Sequence, residues 1–307
     1  MKSFEKESKL GGSSQMQFEG TTYRPPVEAD TMLLQVTVGC AHNRCTYCNM
    51  YDDVIFRIIT PDQIEQDLIE ARQNFPEAKR IFLVNGDAFV LSANRQKKIT
   101  QQIAEYFPEC KTITMYASIQ NIISKSDDDL KELKKCGIND LYVGIESGWD
   151  QVVSYINKGH TIEEAKTALN RLNDVGINHM AALMLGVAGR DKGLENAEHT
   201  GAFLNETKPK LIWAGTLGLF EGTSLSKEVE KGLFVPASEV EILEEEKALI
   251  SSIQLENIPF YGIHPTNTVP VFGVLSRDKQ KMINTIDLGI GRLGENALRN
   301  SFQRASL

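Results

Sequence analysis

The strongest constraint on the fold is a unit that repeats six times, a short apolar run followed by a helix-forming segment. The runs are Leu33–Val38, Arg80–Val84, Thr112–Ser118, Asp140–Glu146, His179–Gly186 and Leu211–Leu219. Most are continuous in hydrophobicity and rich in β-branched and aromatic residues, which suits strands covered on both faces. Their starts lie about 28 to 47 residues apart, room for one crossover helix each. Six such units in a row predict an α/β fold, a partial (β/α)6 TIM-like barrel built on a parallel sheet.

The segments between the runs carry helix-capping chemistry. Thr60 is placed to cap a helix with Pro61 at its first position and Gln63 completing a capping box. Ser126 opens a second helix, acidic residues fill its first turn, and Gly137 ends it. Thr161, Glu164 and Gly176 repeat that arrangement. Further helices are expected over 94–107, 191–205, 238–254 and 278–300. The pattern changes after Phe220, so we divide the chain into a lead-in (1–22), a barrel (23–225) and a largely helical C-terminal extension (226–307) that closes the barrel.

Composition narrows the function classes. The chain has 307 residues, with 33 basic against 41 acidic and a formal charge of −8. A general binder of phosphate backbones would show the opposite balance. No run of 18 apolar residues is present to cross a membrane, and the polar N-terminus lacks the apolar core of a signal peptide. The expected location is the cytoplasm.

In a βα barrel the loops after the strands gather at one end and carry the chemistry. Three of the five cysteines, Cys40, Cys45 and Cys48, follow the first strand within nine residues. Cys110 and Cys136 precede the third and fourth strands, at the opposite end, and are read as small packing residues. Three thiolates in one loop need a positive partner. A structural zinc site would want a fourth ligand, for which only His42, cramped within the loop, is at hand. An iron–sulfur cluster can use three cysteines and leave one iron open.

The triplet, with Tyr47 before its last cysteine, resembles that of the radical S-adenosylmethionine superfamily. The usual spacing there is three residues then two; here it is four then two, as in a subset of the family. Four further segments extend the likeness. Asn85–Ala88 stands after the second strand and Gly144–Gly148 after the fourth. Leu183–Asp191 ends the fifth, and Phe220–Leu225 resembles the family's PGTPL segment. Asn157–Ala165 also matches a segment of many members. The likeness runs from Arg24 to Asp278 and is nearest to the oxygen-independent coproporphyrinogen dehydrogenase and methylthiotransferase branch.

The resemblance implies one 4Fe–4S cluster on Cys40, Cys45 and Cys48 and an S-adenosylmethionine bound to its open iron. Reductive cleavage would give a 5′-deoxyadenosyl radical that abstracts hydrogen from a small or medium-sized substrate, making the chain an oxidoreductase-type enzyme. It implies cofactor contacts from Tyr47, Gly86, Asp87, Ser118, Glu146, Ser147, Gly186 and Gly189. Asp87 would meet the methionine ammonium, Glu146 and Ser147 the ribose, and the two glycines the adenine. An external electron donor, flavodoxin or ferredoxin, would reduce the cluster.

In the extension, His264 and Asn267 resemble a histidine–asparagine segment of this branch. They either reach over the barrel to act on the substrate or brace a proline-bounded turn. His42 and Asn43 shape the cysteine loop around the cluster or screen it, Lys158 and His160 shape a loop or neutralise a carboxylate, and His179 and His199 are structural. Two competing functions remain: a non-catalytic carrier of a haem-type cofactor, and a structural zinc protein.

Overall fold

The computed structural model describes residues 16, 18–302 and 304. Of the lead-in, residues 1–15 and 17 lie outside the described residues. All six expected runs form strands: β1 (Met32–Gln35), β2 (Arg80–Val84), β3 (Thr112–Ala117), β4 (Ile138–Glu146), β5 (Asn178–Leu185) and β6 (Leu211–Thr216). They pair in that order and all in parallel.

The sheet does not stop at six. The chain after β6 adds β7 (Pro259–Gly262), parallel to β6, and β8 (Val271–Val274), antiparallel to β7. The sheet is thus a partial barrel of eight strands, and no β8–β1 pairing closes it among the described residues. The two added strands are only four residues each and are interrupted by prolines and glycines, which hid them from a search for longer apolar runs.

The first run also differs from expectation. Its far end leaves the sheet, and Thr37–Val38 pairs with Arg57–Ile58 as a small antiparallel ribbon. That ribbon turns the chain at Gly39 into the cysteine loop.

The helices follow their caps. Ser126 and Thr161 form complete capping boxes with Asp129 and Glu164, and Gly176 ends its helix in the left-handed region, at φ +77°. Thr60 accepts from Gln63 N, but the Gln63 side chain turns to Asp67 instead of closing a box. The expected helix over 278–300 is two, Lys279–Arg292 and Glu295–Arg299, with Gly294 capping the second. Helices on the outer face bury Leu141, Val143, Leu183, Ile212 and Ala214 in the main core. Residues on the inner face, among them Phe82, Tyr142 and Met180, pack as a separate cluster.

Candidate functional site

The cysteine loop hangs beyond the C-terminal end of β1, tied down by two distant segments. Thr46 N donates to Ile156 O at 3.0 Å, and Asn157 Nδ2 donates to Arg44 O at 2.9 Å. His42 Nε2 lies 2.7 Å from Asn157 O; a carbonyl only accepts, so Nε2 carries the proton. From the other side, Leu225 N donates to Thr46 O at 2.8 Å. The segments around Asn157 and Leu225 are two of those that stood out in the sequence. Their structural work is to shape the cysteine loop.

Within the loop, Cys48 N bonds to Cys45 O, and all three cysteines are partly exposed. Burial pushes the Cys48 thiol up to about 11, and Met50 N pulls against it. Burial also raises Cys45, with the Lys158 charge opposing and those of Glu146 and Cys40 adding. Such thiols ionise only against a positive partner, and a soft metal cluster supplies one. Among the described residues no three His, Cys, Asp or Glu side chains gather as ligands of a single ion would. In a four-iron cluster each thiolate binds a different iron, so the donors need not converge on one point.

Beside Cys45 stands a charged pair. Lys158 Nζ donates to Glu146 Oε1 at 2.7 Å, and Tyr47 OH donates to the same oxygen at 3.0 Å. Burial would lower the Lys158 ammonium, but the Glu146 carboxylate beside it, foremost among its neighbours, holds it well above the ordinary lysine range. Glu146 is offered to this pair by a bulge at the end of β4, where its φ is +63°. Gly144 makes the room: a Cβ there would lie 2.7 Å from Glu146 Oε1 and 2.8 Å from Lys158 Nζ.

At the end of β2, Gly86 lets the chain pass under Tyr51 and Cys40; a Cβ would stand 2.5 Å from Tyr51 Cε2 and 3.1 Å from Cys40 Cβ. Asp87 is buried, and burial raises its carboxyl despite Ser118 and Asn121. Its oxygens accept from Ser118 N at 3.2 Å and Asn121 Nδ2 at 2.5 Å. Ser118 in turn caps the short helix Ile119–Ile123. Asp87 and Ser118 therefore lock β2 to β3. Nearby, the Tyr51 hydroxyl, the Thr46 hydroxyl and both ends of the Asn85 amide are buried with no partner among the described residues.

Ser147, Gly186 and Gly189 stand apart from that cluster. The Ser147 hydroxyl donates to Asn196 Oδ1 at 2.5 Å, Asn196 Nδ2 to Glu245 Oε1 at 2.7 Å, and Gly186 N to Glu245 Oε2 at 2.8 Å. Both glycines have positive φ, and the atoms they approach belong to the extension: Ile242 for Gly186, Phe234 and Val235 for Gly189. His264 and Asn267 sit over β6. Asn267 Nδ2 donates to Ala214 O at 2.9 Å and its Oδ1 accepts from Thr216 Oγ1 at 3.2 Å. His264 Nδ1 lies 2.6 Å from Thr266 Oγ1, and Thr266 N also donates to it.

The structure thus brings together the cysteines, Tyr47, Gly86 and Glu146, and adds Lys158. Lysine 158 was legible in the sequence as a carboxylate-neutralising residue, but only contact with Tyr47 places it at the site. Asn196 and Glu245 carried no sequence signal, since each reads as an ordinary polar position on a helix.

Known proteins resemble this chain in sequence and in fold. The heme chaperone HemW of Bacillus subtilis is 26% identical over 191 residues, 57% of this chain and 50% of that protein. The tRNA uridine(34) acetyltransferase of Methanocaldococcus jannaschii is 24% identical over 119 residues, 38% of this chain and 22% of that protein. The chain therefore spans half or less of the length of these curated relatives. Among solved structures, coproporphyrinogen III oxidase (HemN) from Escherichia coli superposes with TM-score 0.56 at 16% identity. It covers 72% of this chain and 52% of its own. The archaeal Elp3 of Methanocaldococcus infernus does so with TM-score 0.53 at 18% identity, over 88% and 64% respectively. These likenesses carry the fold. Residues 34–198, more than half of the chain, match the radical SAM superfamily, and the chain belongs to that superfamily.

Proposed function

We propose that this chain is a radical S-adenosylmethionine enzyme with a single 4Fe–4S cluster on Cys40, Cys45 and Cys48. The observation that carries the reading is the buried Lys158–Glu146–Tyr47 cluster beside Cys45, joined to the loop by Asn157. When bound, cluster and cofactor supply one-electron cleavage of the sulfonium to a 5′-deoxyadenosyl radical that takes hydrogen from the substrate. The chain's own residues prepare the place. Lys158 holds a fixed positive charge that balances thiolate and carboxylate charge at the site. Glu146, accepting from Tyr47 and Lys158, keeps a carboxylate oriented for a diol or an ammonium. The unpartnered Asn85 amide and Tyr51 and Thr46 hydroxyls supply buried polar groups for a polar ligand, since leaving them unpaired is costly. Asp87 and Ser118 position the β2 end, and Gly186 and Gly189 hold the extension against β5.

An external one-electron donor of the flavodoxin or ferredoxin class would reduce the cluster. The resemblance to a heme chaperone supports a second reading, a cofactor carrier that holds the cluster without turning over. Anaerobic reconstitution tests both, with iron, sulfide and zinc measured and 5′-deoxyadenosine followed after dithionite and S-adenosylmethionine. About four iron with matching sulfide and 5′-deoxyadenosine lost in Cys45→Ala is the expected result. A loaded, reduced cluster that never yields 5′-deoxyadenosine selects the carrier. One zinc without sulfide removes both.

A further inference from the structure

One row of positions crosses five neighbouring strands on a single face of the sheet. Gly144 on β4 pairs with Ala182 on β5, Ala182 with Trp213 on β6, Trp213 with Tyr261 on β7, and Tyr261 with Phe272 on β8. Residues in register on adjacent strands point to the same face. The row therefore has almost no side-chain bulk at its β4–β5 end and is aromatic from β6 to β8. Two positions earlier, Tyr142, Met180 and Leu211 form the row beneath, and they belong to the inner-face cluster that is separate from the main core. The row thus lies on the concave side of the partial barrel, above a filled apolar floor.

Its two ends differ in surroundings. At the β4–β5 end, the space over Gly144 is filled by the Glu146 carboxylate and the Lys158 ammonium, 2.7 and 2.8 Å from where a Cβ would lie, and Ala182 is the small side chain beside them. At the other end the sheet is open: Phe272 is 53% exposed, and its ring centroid lies 4.8 Å from that of Tyr261. His264 extends the wall upward, its ring 5.4 Å from Trp213 and over Gly215. Both hydrogen bonds of His264 use Nδ1, which leaves Nε2 for a ligand. From Ala182 to Phe272 the row carries no charge.

We propose that this wall is a substrate platform, and that the substrate carries a planar aromatic or conjugated ring. The ring stacks on Trp213 and Tyr261 and accepts an edge hydrogen bond from His264 Nε2, which carries the proton because Nδ1 accepts from Thr266 N. It rests on the radical reading of the site, because the small Ala182 side chain lets the ring's inner edge lie beside the Glu146–Lys158 pair that sits over Gly144. A saturated or strongly charged substrate would gain nothing from a line of uncharged aromatic faces.

Two matched probes test this: 2-naphthol, which is flat, and decahydro-2-naphthol, its saturated counterpart. The chain has two tryptophans, so Trp149→Phe leaves Trp213 as the reporter. With the full chain and no reductant, 2-naphthol is expected to quench Trp213 saturably and to bind at least tenfold tighter by calorimetry than the saturated probe. Ala182→Leu, which fills the space beside the Glu146–Lys158 pair, and Phe272→Ala, which shortens the wall at an exposed position, should each weaken 2-naphthol at least fivefold. Equal affinities for the two probes, or unchanged affinity in Phe272→Ala, would overturn the platform. Binding is read without cofactor cleavage. A chain that binds 2-naphthol in this way yet never yields 5′-deoxyadenosine loses the radical reading and keeps the aromatic site. A chain that yields 5′-deoxyadenosine but treats the two probes alike does the reverse.

Discussion

Lys158 Nζ stands 2.7 Å from Glu146 Oε1, with only 15% and 10% of the two side chains exposed. The pair links the end of β4 to the Asn157 segment, which ties down the cysteine loop. Removing one partner leaves the other charge buried alone, whereas replacing both with apolar groups removes the problem. Lys158→Met is expected to lower stability by about 3 kcal/mol. The double variant Lys158→Met/Glu146→Leu should lose less than the sum of the two single losses. Urea unfolding of all four proteins measures the coupling, and strict additivity would show that the pair is not energetically joined.

Asp87 uses both carboxylate oxygens to receive N–H groups, from Ser118 and Asn121. An alanine at this position leaves both N–H groups buried without an acceptor. Asp87→Ala should therefore destabilise the chain by about 1–3 kcal/mol, read as a lower thermal midpoint, with iron content after reconstitution unchanged. A full loss of iron at unchanged stability would instead make Asp87 part of the cluster's own surroundings.

Glu245 is buried with no cation paired to it among the described residues, and burial raises its carboxyl to about 7, against the bonds from Asn196 and Gly186. The unfolded chain releases that proton near the ordinary glutamate value of 4.5, so between those values the folded chain holds more protons. Stability should fall as pH rises from 4.5 to 7, by about 2–3 kcal/mol. Glu246, also raised by burial and by Glu245, acts in the same direction. In Glu245→Gln, a flipped Asn196 amide keeps the contact with residue 245 and donates to Ser147 Oγ, at the cost of the acceptor for the Ser147 hydroxyl proton. Denaturant midpoints across pH 4.5–7 should then show a flatter decline than the parent chain, with Glu246 accounting for what remains.

His179 gives the opposite dependence. It is fully buried, neither ring nitrogen has a partner among the described residues, and burial lowers it to about 4. The unfolded chain takes up a proton near 6.5 and the folded chain only near 4, so stability is lost as pH falls through that window. His179→Leu should raise stability at pH 5 more than at pH 8. An equal gain at both values would mean the histidine packs without any proton-linked penalty.

Much of the fold was legible because parallel strands buried on both faces leave an unmistakable local trace, and caps such as Ser126–Asp129 and Thr161–Glu164 mark helix starts within a single turn. Strands β7 and β8 left no such trace. Four residues each, β7 is held by pairing to β6 and β8 by pairing to β7, and neither by a long apolar run of its own. The site divides in the same way. Tyr47 and Glu146 lie 99 residues apart and show their chemistry only once one oxygen accepts from the other's hydroxyl. Ser147, Gly186 and Gly189 read as cofactor contacts, and the structure shows them engaged with Asn196, Glu245 and Phe234.

By itself the sequence determined the repeated strand–helix unit, the end of the barrel that carries the cysteines, and the three soft donors with no fourth. These are properties of periodicity and chain order, which a linear code carries directly. Only the tertiary structure decided that Lys158 completes a buried pair with Glu146, that the extension prolongs the sheet, and that Trp213, Tyr261 and Phe272 form one wall. Each depends on register and on close approach between distant segments, and burial alone gives those contacts their strength.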